Sequence, residues 1–216
     1  MMKQPRIIFL MFEAKSEVYK LIDTHYKPMP KNPDGSINEY GPGLANNDID
    51  ALRHSFVSGA YVMEYDEETA DKLGRLNEFK NFSFGSKEIP SENMDLWNNS
   101  VGRRYGKKSK SWDELFQFLL QALRKGELII DLKDTRKYRG EKSIKRIPKS
   151  FVIKIKENKS GANTEFFDVR KKFVMTKGEF IVAIRQGMYP GYAVRKHYLG
   201  EFPYSTRDRF SFNNLG

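Results

Sequence analysis

The sequence predicts an α+β protein in two parts: a mostly helical N-terminal domain followed by a small α+β C-terminal domain. Two observations carry this. Apolar residues recur at helical spacing as far as Leu123, whereas beyond residue 150 they alternate as they do in strands. Charge divides at the same place. Residues 1–135 hold 19 basic and 21 acidic side chains, and residues 136–216 hold 19 basic and 7 acidic. Net charges of about −2 and about +12 fit two units with different surfaces, the second drawn to something anionic. The boundaries expected are a helical domain over 1–135, a basic linker over 136–149 and a small basic α+β domain over 150–216.

Each element has a local reason. Over residues 5–24, Ile8, Met11, Phe12, Val18, Leu21 and Ile22 lie at helical spacing. The Pro/Gly/Asn-rich stretch 27–43 reads as a long ordered loop, a kind often functional in compact domains. "NNDIDALRHSFVSGAYVMEY" opens on Asn/Asp capping signals, and Asp66 caps the next helix. Ser91 is the expected cap of a helix running through "MDLWNNSVGRRYG", and Ser111 with Glu114 forms a capping box for another. Gly126 stops that helix, and "ELIIDL" reads as a short strand. In the basic half, "SFVIKIKEN" and "TEFFDVRKKFVM" read as paired strands across "KSGAN". Thr176 with Glu179 opens a short helix, and "GYAVRKHYLG" with "EFPYST" closes as a hairpin.

Composition excludes several classes. Sixteen Phe and eleven Tyr supply a core and argue against disorder. With no cysteine, neither a disulfide nor a thiolate metal site can form. The apolar run Ile7–Phe12 is shorter than the roughly 7–15 residues of a signal-peptide core, and far shorter than the roughly 20 of a membrane span. No transmembrane segment is expected, and export would need a route without a classical signal. The nucleotide-binding, serine-hydrolase and EF-hand signatures are absent from the sequence. Three histidines with no HExxH pairing suit zinc poorly, and the carboxylates that could hold Mg or Ca lack any recognised spacing, so no metal or other cofactor is expected.

What could carry chemistry is a set of polar residues on helices. Asp50, Arg53 and His54 stand at i, i+3 and i+4, on one face. Glu78 lies in the following helical stretch, off the centre of an apolar side made by Leu73, Leu76 and Phe79. The helix through residue 97 carries two faces, an apolar one of Met94, Trp97, Val101 and Tyr105, and a polar one of Asp95, Asn98, Asn99, Gly102 and Arg103. Asn is a poor helix former and Gly costs about 1 kcal/mol against Ala, so that face either satisfies a buried network or meets a ligand. Converging, His54, Glu78 and Asp95 could trade protons with a leaving group and a water, while Arg53 and Arg103 hold a developing anion. Asp50, Asn98 and Asn99 would orient substrate or side chains.

These residues carry a resemblance. Asp50-Ala51-Leu52-Arg53-His54, Asn77-Glu78 and Met94-Asp95-Leu96-Trp97-Asn98-Asn99-Ser100-Val101-Gly102-Arg103 resemble an uncharacterised bacterial domain with D-A-x-R-H, H-E and M-D-x-x-N-N-x-x-G-R blocks. It covers about residues 44–125, and Asn77 replaces the His that often precedes the glutamate. The C-terminal tail is similar to a second small bacterial family. The first domain occurs in proteins resembling toxins and secretion-system effectors. The resemblance therefore implies a bacterial protein, made in the cytoplasm and exported without a classical signal peptide. It also implies a cognate immunity protein or the secretion machinery as partners.

The expected function is a toxin-like hydrolase acting on the cell envelope through His54, Glu78, Asp95 and Arg53. Residues 136–216 would dock it on an anionic polymer or envelope component. The rival is a non-catalytic module in which the polar faces form a closed structural network and the basic domain binds nucleic acid or a protein. An open cleft at His54 and Glu78 would favour the enzyme; a closed, fully bonded network would favour the module.

Overall fold

The computed structural model describes residues 6–78, 90–140, 150–206 and 215, with the side chains of residues 6, 8 and 78 excepted. Among the described residues five helices are followed by three strands, a short helix and two further strands, the α+β order the sequence predicts. The chain divides into two compact units, one drawn from residues 9–145 and one whose described residues are 6–8, 150–206 and 215.

The first unit holds α1 (Arg6–His25) from Phe9 on, α2 (Asp48–Glu64), α3 (Glu67–Glu78), α4 (Pro90–Gly106) and α5 (Trp112–Arg124). Asn47 caps α2, its side chain accepting from the amides of Ile49 and Asp50. Asp66 accepts from the Thr69 amide at the start of α3, at 2.7 Å. Ser91 is not a cap, because α4 already begins at Pro90, a residue suited to the first helical position. The box at α5 is only half made. Ser111 accepts from the Glu114 amide, but the Glu114 carboxylate takes the Lys110 amide instead of that of Ser111.

The core of this unit gathers Ala14, Val18, Ile22, Leu52, Phe56, Met94, Leu115, Phe116 and Leu119, all essentially inaccessible. Phe56 sits edge-on to both Trp112 and Phe116, a favoured aromatic geometry. At the centre, α2 and α4 meet backbone to backbone. A Cβ added at Gly102 would lie 1.9 Å from the Ser55 carbonyl oxygen, and one at Gly106 would lie 2.5 Å from that of Gly59. The small residues Ser55 and Gly59 on α2 and Gly102 and Gly106 on α4 therefore form one seam with a spacing of four on each helix. They match in rising order, so the two helices run in the same direction.

The stretch 127–132 is not the strand expected. Its peptides are satisfied by side chains: Trp97 Nε1 donates to the Glu127 carbonyl at 2.8 Å. Arg136 donates to the carbonyls of Gly126 and Leu128 at 2.7 and 2.9 Å. With those carbonyls taken, pairing to a neighbouring strand is unnecessary. The linker expected from residue 136 is anchored at its start, because Asn93 donates to the Arg136 carbonyl and accepts from the Tyr138 amide. Residues 141–149, the rest of that linker, lie outside the described residues.

The second unit pairs β1 (Val152–Glu157), β2 (Asn163–Asp168) and β3 (Phe173–Thr176) as an antiparallel meander. One long strand was expected over 164–175. The chain turns there instead: Asp168, itself buried, accepts from the amides of Arg170 and Lys171, and Lys172 adopts a positive φ of 61°. Thr176 and Glu179 make the full capping box of α6 (Lys177–Arg185), and β4 (Tyr192–His197) and β5 (Gly200–Ser205) form the closing hairpin. Phe180 of α6 fills the core against Phe166, Tyr189 and Tyr192, with ring centroids 5.0–5.3 Å away.

The seam gives a direct expectation. Gly102→Ala drives a methyl into the Ser55 carbonyl and should cost about 3 kcal/mol or more, read as a lower urea midpoint. Gly178→Ala meets nothing within 4 Å in α6 and should leave stability unchanged or raise it by up to about 1 kcal/mol, read as an equal or higher midpoint.

Candidate functional site

Asp50 and His54 stand one turn apart on α2, and the α2–α4 seam brings Asp95 of α4 against them. His54 Nε2 lies 3.5 Å from Asp50 Oδ1 and 3.4 Å from Asp95 Oδ1. All three residues are buried, at 4, 7 and 6% exposure in chain order. Arg53 Nη2 lies 2.8 Å from His54 Nε2 and against Asp50 Oδ1. A guanidinium can only donate, so Nε2 accepts and carries no proton there. The other oxygen of Asp50 accepts the Asn46 amide at 2.7 Å, which fixes the carboxylate. The Arg53 side chain is the most exposed of the four, at 27%.

Asn99, buried on α4, hydrogen-bonds the imidazole. Its Nδ2 faces α3 at Gly74, where an added Cβ would come within 3.0 Å of it. That leaves Oδ1 for the imidazole, which would then donate from its other nitrogen, fixing the ring and its tautomer. Burial and then the Arg53 charge hold His54 well below the usual imidazole range, against the opposing pull of Asp50. The imidazole is neutral at pH 7. Arg53, held up chiefly by Asp50 against the cost of burial, stays charged.

The two adjacent asparagines do different work. Both ends of the Asn98 amide are taken by one residue of the passing chain: Nδ2 donates to the Ile129 carbonyl at 2.8 Å, and Oδ1 accepts the Ile129 amide at 2.9 Å. Asn98 clamps backbone, while Asn99 holds the histidine. Arg103 lies two turns beyond Asp95 on α4, about 12 Å along the axis. It pairs with Asp71 of α3 at 2.9 Å, and Asp71 also holds Arg75. Its guanidinium is thus committed to tying α3 to α4. Glu78 is the last residue of α3, and its side chain lies outside the described residues. Sequence reasoning missed the parts of Asn46 and Asn93. The i, i+4 spacing of Asn46 and Asp50 at a helix start was the available signal for the first.

The arrangement thus joins a neutral imidazole with a lone pair, two carboxylates and a guanidinium in one buried place. A cavity of about 510 Å³ lined by Trp97, Arg104, Tyr105, Lys108, Glu127 and Arg136 includes none of these four residues.

Among known proteins, one family profile matches, over residues 1–127: a domain of unknown function (DUF6973). The chain belongs to this family. The DUF6973 domain so defined takes in α1 as well as the three sequence blocks, starting well before the residue 44 suggested by the blocks alone. No curated protein and no solved structure gives a significant match. No described helix is long and apolar enough to cross a membrane.

Asn98 and Asn99 should separate experimentally. Asn98→Ala strands the Ile129 amide and carbonyl, so it should cost about 1–3 kcal/mol, seen as an earlier thermal melt. Asn99→Ala frees the His54 ring. The imidazole signals of His54 should then shift and broaden in a nitrogen NMR spectrum, a change Asn98→Ala should not produce.

Proposed function

We propose that the DUF6973 domain of this chain is a toxin-like hydrolase that acts on a bacterial cell-envelope substrate by acid–base chemistry at His54. The reading is carried by one observation, the convergence of the His54 imidazole with Asp50, Asp95 and Arg53. In it, His54 takes a proton from the attacking water through Nε2, and Asp95 orients that water. Glu78 serves as the acid toward the leaving group. Arg53, the group nearest solvent, turns outward to meet the developing oxyanion. The charge of about +12 on residues 136–216 supports docking on an anionic polymer, with Asp50 and Asn99 as positioning residues.

A second reading has an observation of its own. Asp50, His54 and Asp95 are each less than a tenth exposed, which also suits a closed network that only joins α2 to α4.

Expression decides between them. With an added export signal, the full chain should arrest growth of a bacterial host; without the signal, the host should grow. Glu78→Gln and His54→Gln should each abolish arrest while melting within a few degrees of the parent. Arrest that survives both variants, or no arrest with the exported chain, would leave the structural network as the account of these residues.

A further inference from the structure

We infer that Asp50, His54 and Asp95 form a binding site for a single divalent transition-metal ion, with Arg53 as a resident cation that the ion displaces. The inference uses the residues of the hydrolase reading and gives His54 a different part, ligand instead of proton carrier.

The spacing carries the argument. One potential ligand atom from each of Asp50, His54 and Asp95 lies within 4.8 Å of the other two. Metal bonds to imidazole nitrogen and carboxylate oxygen run at about 2.0–2.2 Å, so adjacent ligands around a tetrahedral ion stand about 3.3–3.6 Å apart. The two separations involving His54 are 3.5 and 3.4 Å. An ion could bind without the histidine leaving either carboxylate. The supporting contacts also suit a metal site. Asn99 hydrogen-bonds the imidazole and the Asn46 amide holds the far oxygen of Asp50, the kind of outer contact that orients ligating side chains. Nε2 is the nitrogen without a proton, as ligation requires.

The donor set says which ion. One imidazole and two carboxylates, with no thiolate possible in this chain, suit Zn²⁺ or Mn²⁺ over softer ions. Three protein ligands leave a position open, as in catalytic sites. The side chain standing against two of the three ligands is Arg53, itself a cation. It is 27% exposed, so it has a way out toward solvent. A positive charge then occupies the cluster in either state, and removing the arginine removes the competitor.

The test is calorimetric titration of chelator-treated, full-length protein with Zn²⁺ and, separately, with Mn²⁺. One ion should bind per chain, with a matching rise in melting temperature. Asp95→Asn and His54→Gln, both near-isosteric, should weaken binding at least tenfold. Arg53→Met should tighten it, a change opposite to the one expected if Arg53 merely cements the cluster. The site is overturned if neither ion binds saturably to the parent or to Arg53→Met, or if binding is unchanged in Asp95→Asn and His54→Gln. The two readings can fail separately. Binding that follows these variants in a protein harmless on export supports the metal site alone. Growth arrest with no ion bound by either protein overturns the site and leaves the acid–base reading in place.

Discussion

The contact on which the first unit depends is the meeting of α2 and α4 along Ser55, Gly59, Gly102 and Gly106. Two helices normally stand 8–10 Å apart because side chains keep them there. Here the Ser55 and Gly59 carbonyls lie where a Cβ on α4 would otherwise be. That proximity lets short side chains, two aspartates and an asparagine, reach one imidazole from two helices. Were the axes a normal distance apart, longer glutamates or glutamines would be needed to span the gap. The polar cluster and the glycines are two consequences of one geometry.

Burial of so much polarity is tolerated because almost every group is matched. Asp50 faces Arg53 and the Asn46 amide, Asp71 holds Arg75 and Arg103, and Asn93 and Asn98 each satisfy both a donor and an acceptor of the passing backbone. Leaving any one of these unpaired would cost more than its bond contributes. The polar side of α4 is therefore two things at once. Asp95 and Asn99 serve the histidine, while Asn93, Asn98 and Arg103 hold neighbouring backbone and α3.

Much of this was legible in the sequence, and the limits are physical. Helix period, the caps at Asn47, Asp66 and Thr176, and the closing hairpin are local, and their signals sit within a few residues of their effects. The pairing of Asp50 with Arg53 and His54 follows from i, i+3 and i+4 alone. Placing Asp95 near them needed only the assumption that the helices converge. What the sequence withheld was long-range. Nothing local to "ELIIDL" says that Trp97, Asn98 and Arg136 will take its peptide groups, so the stretch reads as a short strand. Gly102 read as part of a polar face because a glycine's closest neighbour is named only by the fold. The turn at Asp168 was hidden for a similar reason: the β-rich composition on both sides masked a short reversal at Val169–Lys172.

The clamp at Asn98 has a consequence for motion. The Ile129 amide is shielded and hydrogen-bonded, yet no strand among the described residues pairs with it, so its exchange with solvent deuterons is governed by a single side chain of α4. The Tyr138 amide is held in the same way by Asn93. In hydrogen-exchange measurements these two amides, on an irregular stretch of chain, become reporters of a helix they do not belong to. They open when α4 frays at its first turns or parts from its neighbours. A loop with no regular structure thereby records the breathing of the helix that supplies Asp95 and Asn99 to the histidine.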